Sequence, residues 1–368
     1  MINKFFLIAG EPSGDLHGSK LIQAIKSIDR NSSFMGYGGD LMKKEGMRIV
    51  KHVDSLAIMG FVEIIKHLPR MLKTIRRTTD LISKTKPDRV ILIDYPGFNL
   101  RIAKKISYLK IPITYFILPQ IWAWKENRLE TLNNYTDQRI SIFPFEKDWY
   151  LNKNVDVKYF GHPFAENEHL NENTKSFFLR HKLAISEPIL TLLPGSRQQE
   201  VNIHWPIFIK TVLLLRKTYP GLQIIVGKAA GVNLKNIPRD FKIESNSEKA
   251  MLVGSCALVS SGTATLECVF AETPLVACYK FPLLTWVLVK SMVKVKYSSI
   301  VNLIANRKII PELLQEKMTP NNLAEEIIPL LDLNSQKRKM MMTELKIVKE
   351  GLGSPGVYHR IGKYILNN

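Results

Sequence analysis

Three cysteines in 368 residues are few, and Cys256, Cys268 and Cys278 show no metal-ligand spacing and cannot all pair. Buried free thiols in a reducing compartment are expected. Long hydrophobic runs are also absent. No uncharged apolar stretch approaches the roughly 18 residues needed to cross a bilayer. Near the start, Lys4 is followed by only Phe5–Ala9 before Glu11, too short for a secretory h-region. A cytoplasmic protein is expected, with any membrane contact peripheral. The dinucleotide fingerprint G-x-G-x-x-G is missing, which disfavours a nicotinamide oxidoreductase. No G-x-S-x-G elbow or H-E-x-x-H array is present, so neither a serine hydrolase nor a zinc site is expected. Acidic residues are scarce: 33 Asp+Glu against 52 Lys+Arg leave a formal net charge of +19. That excess asks for an anionic partner. The chain contains no recognised nucleic-acid module.

With 45% hydrophobic and 23% charged residues the chain is globular, and its length suits two domains. Two turns dominate it. Phe5–Ala9 breaks into Gly10-Glu11-Pro12-Ser13-Gly14-Asp15, and Ile189–Leu193 breaks into Pro194-Gly195-Ser196-Arg197. Each reads as strand, small-residue turn and helix start, which leaves backbone N–H groups free for an anion. Strands are predicted at Phe5–Ala9, Ser33–Tyr37, Arg89–Ile93, Ile113–Ile117, Arg139–Ile142 and Val157–Phe160. The second half restarts with Ile189–Leu193, Leu222–Val226, Ala257–Ser260 and Leu275–Cys278. Continuous apolar runs such as Val90–Ile93 fit parallel strands buried on both faces. Helices are predicted over 16–28, 56–81 (broken near Pro69), 334–351 and 357–366. The fold class is therefore α/β, with two Rossmann-like doubly wound domains facing across a cleft. The asparagine-rich stretch 165–175 marks the linker. The domains are 1–164 and 165–351, with the segment 352–368 expected to pack back on the first.

Candidate site residues follow from these positions. Asp94 ends a buried strand, where open α/β sheets bind ligands, and is a candidate general base. A helix cap or loop anchor is the alternative. Ser13, Asp15 and Asn99 are candidate substrate contacts near the same strand ends. In the second half, Gly195, Ser196 and Arg197 offer close backbone approach, a hydroxyl and a guanidinium fork for phosphate. Ser261-Gly262-Thr263 repeats the strand–turn–helix pattern, and Glu267 lies one turn further on. Glu267 suits ribose hydroxyls, or equally the helix dipole. Together these turns point to a nucleotide diphosphate. The segment 281–297 sets Leu283, Leu284, Trp286, Val287 and Val289 beside Lys290, Lys294 and Lys296. That mix fits an interfacial element on an anionic membrane, or a core helix with snorkelling lysines. The stretch 58–77 repeats it.

Taken together, these motifs resemble the lipid-A-disaccharide synthase family. They include Ala9-Gly-Glu-Pro-Ser-Gly-Asp15, Gly36-Tyr-Gly-Gly-Asp40, Asp94-Tyr-Pro-Gly-Phe-Asn99, Pro119-Gln-Ile-Trp-Ala-Trp124 and Phe143-Pro-Phe-Glu146. They continue through Leu193-Pro-Gly-Ser-Arg197, Ser261–Glu267, Asn302-Leu303 and Pro311–Gln315, in register along the chain. The resemblance implies a GT-B glycosyltransferase that transfers with inversion. It implies UDP-2,3-diacylglucosamine as donor and 2,3-diacylglucosamine 1-phosphate as acceptor, joined as a β-1,6 disaccharide with release of UDP. By the same resemblance Asp94 and Arg197 are the essential pair, and Asn302 and Gln315 are further polar site positions. No cofactor is implied, and a homodimer is compatible. The enzyme would work at the inner face of the inner membrane. A UDP-sugar epimerase acting on soluble sugars is the rival enzyme, and a basic nucleic-acid-binding protein the rival from another class.

Overall fold

A computed structural model describes residues 3–56, 68–166, 174–282, 285–286 and 295–367. The described chain divides into two compact units. The first is Met1–Glu166 with Gly353–Asn368, and the second is Asn167–Leu352.

The first unit holds a seven-stranded parallel sheet. Its strands are β1 Lys4–Ala9, β2 Ser33–Gly38, β3 Arg48–His52, β4 Arg89–Ile93, β5 Ile113–Phe116, β6 Gln138–Ser141 and β7 Lys158–Tyr159, in the order β3-β2-β1-β4-β5-β6-β7. The interior strands are those with unbroken apolar runs, because helices cover both faces. Phe6, Leu7, Ile8 and Val90–Ile93 have no exposed surface. Each such side chain contributes about 1.5–3 kcal/mol by leaving water. The chain leaves β1 toward β2 and β3, then returns to lay β4 on the other side of β1. The sheet's switch point thus falls between β1 and β4, with Ala9 paired to Ile93 at their C-terminal ends.

The helix Pro12–Ile28 starts with proline in its first turn, where the missing N–H costs nothing. Its glycines decide how closely it lies. A Cβ on Gly14 would stand 3.1 Å from the Ala9 Cβ, and one on Gly18 would stand 2.6 Å from the Met42 sulfur. Against this helix packs Val357–Leu366, the last of the chain, through Val357, Tyr358, Ile361 and Ile365. His17 Nδ1 and Tyr358 Oη lie 2.7 Å apart, and Glu166 accepts the Tyr358 backbone N–H at 3.0 Å. Arg360 donates to the carbonyls of Phe160, Pro355 and Ser354.

The second unit holds a six-stranded parallel sheet. Its strands are β8 Ile189–Leu193, β9 Gln223–Gly227, β10 Lys242–Glu244, β11 Cys256–Ser260, β12 Leu275–Tyr279 and β13 Glu312–Leu314, ordered β10-β9-β8-β11-β12-β13. This is the same winding, with the switch point between β8 and β11. Cys256, Cys268 and Cys278 are buried free thiols, and burial pushes all three above the ordinary thiol range.

Three strands were not foreseen in the sequence: β3, β10 and β13. All lie at sheet edges, where one side faces water and the residues Arg48, Lys51, Lys242, Glu244 and Glu312 interrupt any apolar run. The basic-apolar stretch 58–77 is described only from Leu68, where the helix Leu68–Thr85 begins. Residues 57–67 lie outside the described part. So do Leu283, Leu284, Val287, Val289, Lys290 and Lys294 of the second such stretch. Among the described residues no helix is long and apolar enough to cross a membrane.

Candidate active site

At the first switch point β1 runs into Gly10 and β4 into Asp94. Asp94 and Tyr95 both take left-handed backbone, with φ of 46° and 49°. Two successive non-glycine residues there cost on the order of 1–3 kcal/mol each, so the surroundings must hold them. They do. Tyr115 Oη and Asn99 Nδ2 each donate to the Asp94 carbonyl at 2.7 Å, and the Asp94 N–H donates to Phe116 at 3.0 Å. The Tyr95 ring lies over Gly10, where an added Cβ would stand 2.3 Å from ring carbon. Glycine is therefore required at that turn. The Asp94 side chain is left half-buried at the sheet's end. Burial, and then the charge of Glu11, push its pKa up to about 6. A carboxylate so placed is a stronger base than an exposed one, yet still ionised at neutral pH.

Around Asp94 the predicted contacts separate. Ser13 is exposed at the first turn of its helix. Asp15 is buried, and its carboxylate accepts the N–H groups of Gly39, Leu41 and Met42. It anchors the loop after β2. Asn99 is fully buried and donates to the carbonyls of Ile8, Ile93 and Asp94. Its amide is spent on holding the Asp94 backbone from beneath. Its Oδ1 is buried with no hydrogen-bond partner among the described residues.

At the second switch point Gly195 follows β8 with φ +131°, a conformation that favours glycine. The turn is organised by Glu200, to which sequence reading assigned no role. Its carboxylate accepts the N–H groups of Ser196 and Arg197 at 3.1 and 3.3 Å, the Arg197 guanidinium at 3.3 Å and the Tyr279 hydroxyl at 2.9 Å. Two of the N–H groups leading into this helix, those of Ser196 and Arg197, are therefore already taken by the Glu200 side chain. The signal was present as a glutamate at the third helical position, the half of a capping box that reaches back to the N-cap amide. His204 secures the same turn. Its Nδ1 lies 3.0 Å from the Pro194 carbonyl, so that nitrogen carries the proton, and Nε2 accepts the Lys280 N–H at 3.1 Å. Burial holds its pKa below the ordinary histidine value. Arg197 itself is 81% exposed and free to turn toward an anion.

Ser261-Gly262-Thr263 follows β11, the neighbour of β8. It joins Gly195, Ser196, Arg197 and Glu267 around one cavity of about 490 Å³. The two turns, far apart in sequence, thus form opposite walls of one site. Glu267 accepts the Ser247 hydroxyl at 3.1 Å, and burial raises its pKa. Asn302 is not part of this wall. It is buried, donates to Ile310 and Glu312, and accepts from the N–H groups of Ile309 and Ile310. With both amide hydrogens and both lone pairs used, it staples the loop before β13. Gln315 also lies elsewhere. It holds Phe281 through the N–H at 2.7 Å and faces a separate cavity of about 380 Å³ with Lys280, Pro282 and Trp286. Trp286 stacks on Phe281 with ring centres 6.2 Å apart. Among the described residues no cluster of histidine, cysteine and carboxylates is placed to hold a metal ion.

Two parallel sheets, each carrying its polar residues at its own switch point, define the GT-B class of α/β enzymes. Solved structures share the fold. Over 100% of this chain it is similar to CalG4, the calicheamicin glycosyltransferase (TM-score 0.62, 13% identity, 98% of that chain). It is likewise similar to UDP-GlcNAc 2-epimerase from Neisseria meningitidis, solved bound to UDP-GlcNAc (TM-score 0.66, 12% identity, 100% of both chains). The family model described as lipid-A-disaccharide synthetase matches residues 5–355. The lipid-A-disaccharide synthase of Myxococcus xanthus (strain DK1622) is 32% identical over 371 residues, 99% of this chain and 97% of the relative. The chain belongs to the lipid-A-disaccharide synthase family, and is a glycosyltransferase of lipid A biosynthesis.

Proposed function

We propose that this enzyme transfers the acylated glucosamine of a UDP-2,3-diacylglucosamine donor, with inversion, to the 6-hydroxyl of 2,3-diacylglucosamine 1-phosphate. The first unit takes the acceptor and the second takes the donor. Asp94 removes the proton of the attacking hydroxyl as its oxygen bonds the anomeric carbon and the bond to the diphosphate breaks. The leaving UDP gains negative charge in the transition state. Arg197 and the Ser261–Thr263 turn stabilise it, with Ser196 beside them and Glu267 on the ribose. Glu200 occupies the Ser196 and Arg197 amides, so that turn serves chiefly by aiming Arg197. Asp15, Asn99, Asn302 and Gln315 act behind the site as supports. The enzyme needs no cofactor. Acyl chains on both substrates require access to a membrane, and we place the enzyme peripherally on the inner face of the inner membrane through the segments 58–77 and 283–296.

The observation that carries this reading is the half-buried, left-handed Asp94 at one switch point, matched by an arginine-bearing cavity at the other. The test is product analysis. The purified protein is incubated with both acyl sugars in detergent. UDP and a β-1,6-linked disaccharide 1-phosphate are expected in equal amounts. Free UDP without disaccharide, or epimerised UDP-sugar, would overturn the proposal.

A further inference from the structure

Three cations on the elements that flank Asp94 have no task in that mechanism. Arg101 lies in the helix Pro96–Ile106, which starts two residues after Asp94. Lys125 and Arg128 lie in the loop after β5, Arg128 directly before the helix Leu129–Tyr135. These two helices pack together, and β5 lies beside β4. Arg101 Nη1 donates to the Gly97 carbonyl at 2.9 Å, which folds the guanidinium back toward the start of its own helix. One indole positions the other two. Lys125 Nζ stands 4.2 Å, and the Arg128 guanidinium 5.9 Å, from the Trp124 ring centre.

Like charges crowded together at a partly buried surface are unfavourable unless an anion joins them. The cost is visible here. Burial, then the charges of Arg128 and Arg101, hold the Lys125 pKa below its ordinary value. Arg128 is lowered by burial and by Arg101, against an opposing effect of Tyr115. Among the described residues no ion pair neutralises Arg101 or Arg128. Room for an anion is present too. A Cβ on Gly97 would meet nothing within 4 Å, and the helix start carries no side-chain cap.

We infer that Arg101, Lys125 and Arg128 form the subsite for a phosphate monoester on the acceptor. The inference rests on the proposed function and names the residues that select its acceptor. The base must face the acceptor hydroxyl, so an anion site on the elements flanking Asp94 belongs to the acceptor and not to the UDP. A hexosamine 1-phosphate has its phosphate at one end of the ring and its 6-hydroxyl at the other. The cations grip the first end while Asp94 takes the proton from the second. Two guanidinium forks and an ammonium match a terminal phosphate dianion.

The test compares two acceptors, the diacylglucosamine with and without its 1-phosphate, in neutral-detergent micelles. Anionic phospholipid is then absent, and the donor is the same in both arms. The readout is the ratio of kcat/KM between them. Losing a charge-assisted bond costs about tenfold, so Arg101→Gln with Arg128→Gln should lower the ratio about 100-fold and leave the donor KM in place. If that variant does not fold, single Arg101→Lys and Arg128→Lys variants, which keep the charge but lose the fork, should lower it three- to tenfold. A ratio within twofold of wild type, a parallel rise in donor KM, or a wild type indifferent to the phosphate would overturn the subsite alone. A wild type that couples neither acceptor would overturn the proposed function itself.

Discussion

Only ionised Asp94 can accept a proton, and its pKa of about 6 sets where that form prevails. The rate should therefore fall on the acid side of the profile, with an apparent pKa near 6 in kcat/KM. Glu11 contributes to that value through its charge, so Glu11→Gln should move the acid limb to lower pH. A limb that stays in place would separate Glu11 from the base. Asp94→Asn keeps the volume and the backbone bonds from Tyr115 and Asn99, so the fold should persist. Turnover should drop by roughly 10²–10⁴, the usual worth of a positioned base. Arg197 acts at the other end of the reaction. It is exposed, and among the described residues its side chain is tethered by Glu200, so Arg197→Ala should raise the barrier by about 2–4 kcal/mol with little change in thermal midpoint. Activity should largely survive EDTA, and complete, metal-restorable loss would contradict the proposed leaving-group chemistry.

Among the elements, the short helix Pro144–Leu151 carries an unusual cap. Glu146 is fully buried, accepting the Trp122 indole N–H at 2.9 Å and the Phe143 N–H at 3.4 Å, and burial pushes its pKa up to about 8. In the unfolded chain the same carboxyl loses its proton near 4.5. The folded state thus binds the extra proton between these values. Glu146 supports folding fully below about 4.5, and that support is lost as pH rises through about 8. Glu146→Gln should make the thermal midpoint less dependent on pH over this window, gaining on wild type at pH 9 relative to pH 5. Elements of this kind also show what sequence can carry. Interior strands such as Arg89–Ile93 and Ile189–Leu193 were legible to the residue, because burial on both faces demands an unbroken apolar run. The edge strands β3, β10 and β13 were not, because half-solvated backbone pairs equally well beneath charged side chains. The turns of the candidate site were legible as turns. Their contacts were not. Asp15, Asn99 and Asn302 are polar residues beside ligand-binding motifs, and nothing local separates a residue that meets the ligand from one that meets the backbone. That difference is made by Gly39, Ile8 and Ile310, which come from other parts of the chain.

For the molecule as a whole, the charge of +19 is a long-range property. It should draw the protein to anionic vesicles, with salt reversing only the electrostatic part of the binding. Trp286→Ser with Lys290→Glu and Lys294→Glu should weaken vesicle sedimentation at an unchanged thermal midpoint. Unfolding of that variant, with membrane affinity per folded molecule intact, would make the segment core. The assignment of Gly353–Asn368 to the first unit bears on how the protein is made. The groove along Pro12–Ile28 that receives Val357–Leu366 exists early in synthesis, but the helix that fills it is made only after the whole second unit. Roughly 190 residues intervene, about 10–40 s of translation at ordinary bacterial rates. During that delay His17, Ala24 and Ile28, which meet Tyr358 and Gly362 in the finished fold, have no lasting partner on that side, while the second unit can complete itself. Nascent chains stalled after Leu352 should show a protease-resistant second unit and a labile first one. A synthetic peptide covering 353–368, added in trans, should restore the resistance.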